Sequence, residues 1–227
     1  MNLRDWKNWA FILSIFSCIQ FIILTIIAMF YYQGGTYINP LTQGYLFWYN
    51  YFSDLGRIIA HSGNYNIISF ILFTITLSLW GLFQIPFYIA FASIFKNSKK
   101  MKLISMIGTL FGIFAGIFFV GIAFAPADIL TFWHNLFVLL GSGSLFIAIG
   151  LYTILLFLNK NYPKFYAIIF AITSTFLILY NLVLLLTPFN NISTKLFINV
   201  IGQKIMIYSL LICEIIQGYG ALKQLHS

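Results

Sequence analysis

Charge is the scarcest property of this chain. Of 227 residues only 7% are charged, and only four are acidic: Asp5, Asp54, Asp128 and Glu214. A soluble domain carries roughly 25% charged residues. With 61% of the residues hydrophobic, no water-soluble core of this length could absorb the apolar side chains, so the solvent implied is lipid. Cysteine is also rare. Cys18 and Cys213 both lie inside apolar runs, which excludes a disulfide framework and suits two buried thiols. Metal motifs are missing too. No H-x-x-x-H or H-E-x-x-H pair places two imidazoles on one helix face.

What is present is a set of long apolar runs. The chain reads as an all-α integral membrane bundle of six transmembrane helices with no soluble domain. The expected spans are 10–32, 66–95, 103–124, 131–158, 164–186 and 205–222. The first is too long for a signal-peptide core, and no small-x-small cleavage site follows it. Pro86 predicts a kink in the second span, with Gln84 placed to satisfy a freed carbonyl. Gly108, Gly112 and Gly116 recur every four residues on the third. This small-xxx-small face lets helices approach closely in lipid, within the chain or in a homo-oligomer.

The net charge of +8 does not point to nucleic acid, because the cations sit in short loops between apolar runs. Six spans put Arg4, Lys7, Lys96, Lys99, Lys100, Lys102, Lys160, Lys164 and Lys223 on one side, and Arg57, Lys195 and Lys204 on the other. That asymmetry assigns both termini to the cytoplasm of a multi-pass cell membrane protein, with membrane lipids as its partners. Asn191-Ile192-Ser193 matches an N-glycosylation triplet in an outer loop.

The stretch Ser53–His61 is the densest in polar chemistry. If helical, it would set Asp54, Arg57 and His61 on one face. Asp128 follows Pro126 and is placed to cap the fourth span. His134 stands near that span's start. Ser53, Asp54, Arg57, His61, Asp128 and His134 thus form one candidate ligand-binding cluster at the extracytoplasmic ends of the spans. Three kinds of role are open. Asp54, His61, Asp128 and His134 could hold a Zn²⁺ whose water attacks a lipid ester or amide. Arg57 with the aromatic residues could grip a lipid headgroup or small anion. The same groups could simply satisfy one another. Transport of a small solute needs polar residues through the bilayer, and only Gln84, Asn181 and Glu214 lie deep. Glu214 has no partner legible in the sequence.

Tyr51-Phe52-Ser53-Asp54-Leu55-Gly56, Phe124-Ala125-Pro126-Ala127-Asp128 and His134 together resemble the six-span prokaryotic membrane family known as domain of unknown function 998. The Frag1/DRAM/Sfk1 membrane proteins look similar in span count and in their Asp-then-His order. The resemblance implies that Ser53, Asp54, Asp128 and His134 form one extracytoplasmic cluster. It implies no reaction. The alkaline ceramidase and adiponectin-receptor hydrolases are a more distant comparison, and the chain lacks their paired C-terminal His; His226 stands alone. The expectation drawn from all this is a non-enzymatic protein with an outward polar pocket for a lipid or small ligand. A metal-dependent intramembrane hydrolase is the first alternative and a transporter the second.

Overall fold

The computed structural model describes residues 3–95, 98–186 and 192–226. Asn191, of the glycosylation triplet, lies outside the described residues. Six helices account for most of the chain: α1 (Leu3–Tyr31), α2 (Ile67–Ala92), α3 (Lys99–Ala123), α4 (Thr131–Leu158), α5 (Lys164–Leu186) and α6 (Ile192–His226). All six are long and apolar enough to cross a membrane. Among the described residues the only extended pairing is one isolated bridge, Ile59 with Tyr65.

Most boundaries fall within four residues of the expected spans, and two helix starts lie further out. The first helix starts at Leu3 and the last at Ile192, against expected starts of 10 and 205. At 35 residues α6 is about 50 Å long. Its first four turns carry Lys195, Asn199 and Lys204, which lower the local hydropathy without breaking the helix. Pro86 does not interrupt α2, which runs as one helix from Ile67 to Ala92.

Extensive contacts join each helix to the next, and α1 closes against α6. The helices therefore form a ring, α1–α2–α3–α4–α5–α6. Where the α2 and α3 backbones cross, Gly81 and Gly116 meet. A Cβ on Gly116 would lie 2.5 Å from the Gly81 carbonyl oxygen, and one on Gly81 would lie 2.6 Å from the Gly116 oxygen. Gly112 receives the Tyr88 ring, and Gly108 lies under Tyr152 of α4. Of the two packings open to this glycine face, contact within the chain is the one seen at Gly108, Gly112 and Gly116.

The half of the ring nearer the termini is packed with aromatic side chains. Phe91 of α2 contacts Phe87, Phe95, Tyr152, Tyr162 and Phe170 by ring centroids 5.0–6.4 Å apart. Each buried ring removes a large apolar area, and edge-on geometry adds to it. The opposite, distal half is capped rather than filled. Residues 32–66 fold over it as a lid containing a short 3-10 turn, Phe52–Gly56, which packs on α1 and α2.

Candidate functional site: a capped cavity

The lid is held by hydrogen bonds to its own backbone. Asn50, fully buried, accepts from Leu46 N at 2.9 Å and donates to Gly35 O at 2.9 Å and Asp54 Oδ2 at 3.1 Å. Asn66 accepts from Gln33 N and donates to the carbonyls of Leu55 and Arg57. Gly35 has φ 83°, and a Cβ there would lie 2.3 Å from Ser62 N. Only glycine fits both the left-handed backbone and the close approach.

Asp54 and His61 meet, but not on a helix face. The 3-10 turn ends at Gly56 and Arg57 is extended. The chain then reverses, bringing His61 Nε2 to 3.1 Å from Asp54 Oδ1. An ionised Asp54 only accepts, so His61 donates through Nε2. Asp54 Oδ2 accepts from Tyr51 N at 2.9 Å, capping its own short turn. Burial pushes the Tyr32 phenol above its ordinary range, and the Asp54 carboxylate adds to the shift. Tyr45 is raised for the same two reasons.

Asp128 does not cap α4, whose N-cap is Leu130 without a side-chain bond. Its carboxylate instead accepts from two lid amides, Ile58 N at 3.2 Å and Ile59 N at 2.8 Å. It is the pin between the α3–α4 loop and the lid. Arg57 donates through Nε to Ile59 O at 3.1 Å and lines no part of the cavity described below.

Lys204 belongs to the site although the sequence placed it among loop cations. It is 2% exposed and donates to Asn50 O at 2.5 Å. Its ammonium lies 4.8 Å from the Phe47 ring centroid, 5.3 Å from Phe52 and 5.5 Å from Tyr45. A desolvated cation gains most from ring faces in such a cage. Next to it, Gln203 accepts from Phe52 N at 2.9 Å. Two consecutive α6 side chains therefore tie the lid to the ring. The signal available in sequence was a lysine followed by an apolar run, which reads as a helix end.

Beneath the lid lies a cavity bounded by all six helices. Its volume is about 80 Å³, and it is not sealed from the outside. Its wall is largely apolar, with Phe21, Phe73, Trp80 and Leu145 among the lining residues. The polar side chains on it are Ser53, His134, Ser142, Tyr180 and Gln203. His134 is 5% exposed, and its Nδ1 lies 2.7 Å from Ala125 O. A carbonyl only accepts, so the proton is on Nδ1 and the neutral ring presents Nε2 as an acceptor. Among the described residues no Lys, Arg, Asp or Glu lines the cavity.

Of the sequence candidates, Ser53 and His134 face the cavity, Asp54 and His61 pair within the lid, Asp128 pins the lid and Arg57 braces it. Among the described residues no group of three or more His, Cys, Asp or Glu could hold a metal ion. Both Asp128 oxygens already bind backbone amides, and the His134 Nδ1 proton is committed to a carbonyl. The four side chains considered as candidate zinc donors are therefore not brought together at one point.

No protein-family model, curated protein or solved structure matches the chain. The fold itself defines a class: an all-α, multi-pass membrane protein of six spans.

Proposed function

We propose that this protein is a non-enzymatic membrane protein that takes the polar end of one uncharged amphiphile, a lipid bearing a hydroxyl or amide, into the capped cavity. The observation that carries the reading is the cavity wall, apolar on most sides with a few neutral polar groups under the lid. A lipid tail gains little by leaving the bilayer, because both surroundings are apolar. Selection must therefore rest on shape and on the polar groups. His134 offers an acceptor. The Gln203 oxygen is taken by Phe52 N, so its amide N–H groups are the part left to donate. Ser53 and Ser142 add hydroxyls. A neutral headgroup matches this set, and an anionic one finds no cation on the wall. The distribution of Lys and Arg in the sequence supports an extracytoplasmic position for the lid. The resemblance to the six-span family of unknown function fits the same placement of Ser53, Asp54, Asp128 and His134.

Lipid analysis tests this directly. Protein purified in mild detergent is extracted, and the bound lipids are quantified by mass spectrometry beside Val138→Trp, which fills the cavity, and His134→Phe, which removes the acceptor. The expected result is about one neutral hydroxyl- or amide-bearing lipid per wild-type chain, lost in the first variant and depleted in the second. Equal lipid content in wild type and Val138→Trp, with both folded, would sink the reading.

A further inference from the structure

Glu214 lies in the middle of α6, 3% exposed, and the role proposed above does not use it. Three donors converge on one of its oxygens. Trp80 Nε1 lies 2.7 Å from Oε2, Gln84 Nε2 2.7 Å and Cys18 Sγ 3.1 Å. Gln84 thus serves this carboxyl, not a carbonyl freed by Pro86. Its other oxygen, Oε1, is buried with no hydrogen-bond partner among the described residues.

The two oxygens ask for different protonation states. Three donors on one oxygen suit a carboxylate, which has lone pairs to spare; a neutral carbonyl oxygen has two. An uncompensated carboxylate at this depth is costly. Among the described residues no cation pairs with it. Lys204 is ten residues away, about 15 Å along the helix. The titratable groups facing Glu214 are Cys18 from α1, Tyr88 from α2 and Cys213 of its own helix. From α5, Thr173 meets Cys213, and Tyr166 accepts through its carbonyl from Gln217. None of these carries a positive charge.

Further buried polar side chains lie on the helix faces that meet Glu214. Gln217 is one turn along α6, and Ser14 one turn along α1 from Cys18, so both share the faces that meet Glu214. Gln217 Oε1, Ser14 Oγ and Gln84 Oε1 are all buried without a hydrogen-bond partner among the described residues. An ionised carboxyl draws the three donors to Oε2, and this set is in place. A neutral one carries its proton on Oε1 and needs one of these side chains to turn towards it.

Trp80 connects this carboxyl to the cavity. Its indole lines the cavity wall and stacks on Phe119 at 4.8 Å with 10° between the planes, while its N–H holds Glu214. We propose that Glu214 is an exchangeable proton site, linked through Trp80 to loading of the cavity. The link rests on the cavity reading above; the proton site itself does not.

Infrared difference spectroscopy of the full chain in lipid vesicles tests both parts. The other acidic residues, Asp5, Asp54 and Asp128, lie near a helix end or outside the helices. The expected result is a protonated-carboxyl carbonyl band that disappears as pH rises and is missing from Glu214→Gln. Trp80→Phe removes a donor to the charged form, so its midpoint should move to higher pH. That shift is the readout if Glu214→Gln fails to fold. Val138→Trp, with the cavity filled, should displace the midpoint in either direction. No pH-dependent band, or an identical titration in wild type and Trp80→Phe, overturns the proton site. A band that responds to sodium chloride at fixed pH, and not to pH, overturns it in favour of a metal cation. A normal titration unmoved in Val138→Trp overturns only the link to the cavity, and lipid analysis judges the cavity reading separately.

Discussion

Replacing Gly116 by alanine separates the α2 and α3 backbones at their closest point. The new Cβ would lie 2.5 Å from the Gly81 carbonyl oxygen. Ordinary contact begins near 3.4 Å, so the crossing must open by roughly 0.9 Å. A flexible side chain could turn aside; a helix carbonyl cannot. The Trp80–Phe119 stack, one residue from Gly81 on α2 and three from Gly116 on α3, moves with it. Overpacking of this kind costs about 1–3 kcal/mol. For a chain of this size that corresponds to roughly 2–4 °C in Tm per kcal/mol. The control is Gly143→Ala on α4, where a Cβ meets nothing within 4 Å. There alanine gains about 0.5–1 kcal/mol from helix propensity and a less flexible unfolded chain. Thermal unfolding in one detergent, followed by fluorescence-detected size exclusion, compares the two. Gly116→Ala should melt several degrees below wild type and Gly143→Ala at or above it. Equal melting temperatures for the two variants would refute the close crossing.

Two further perturbations address the lid. Asp128→Ala removes the acceptor of two lid amides. Hydrogen bonds to a charged group contribute about 1.5–3 kcal/mol each, less here because Asp128 and Ile59 are partly exposed, so about 1–3 kcal/mol in total is expected. Hydrogen exchange at Ile58 and Ile59 should accelerate, and unchanged protection there would remove Asp128 from its role as pin. The buried phenols predict an alkaline limit. Tyr32, Tyr45, Tyr51 and Tyr162 are all raised, chiefly by burial. A raised folded pKa contributes stability that is fully present below the unfolded value, about 10, and fades as pH rises through the folded one. Melting temperature should therefore fall above about pH 10, and Tyr32→Phe should shallow that fall. A flat profile to pH 11 would contradict the burial of these phenols.

Much of the architecture was legible because the six spans are read by length and hydropathy, and lipid enforces both. The ends of α1 and α6 were not. Lys195, Asn199 and Lys204 depress hydropathy over three turns, and only tertiary contacts show that Lys204 points into an aromatic cage. Asp54, Arg57 and His61 were expected on one helix face, but the pairing of Asp54 with His61 was not itself foreseen. A seven-residue spacing suits a helix face, yet a chain reversal produces the contact. Asp128 followed a proline break and so resembled a cap, while its true partners lie 69 and 70 residues earlier. The partners of Glu214 were illegible for the same reason. Cys18, Trp80 and Gln84 stand 130 to 196 residues away, and no local pattern encodes that meeting.

Closure of the ring by α1 against α6 has a consequence for assembly. During synthesis α6 emerges after the other five helices. It carries both Lys204 and Glu214, and ionisable side chains make membrane insertion of an isolated helix less favourable. Their partners are already in place by then: the aromatic rings and the Asn50 carbonyl of the lid for one, and the side chains of Cys18, Trp80 and Gln84 for the other. The earlier helices thus offer the last one a prepared berth. Until it arrives, the side chains of Cys18, Trp80 and Gln84 lack their acceptor, and the five-helix ring keeps an open, polar seam.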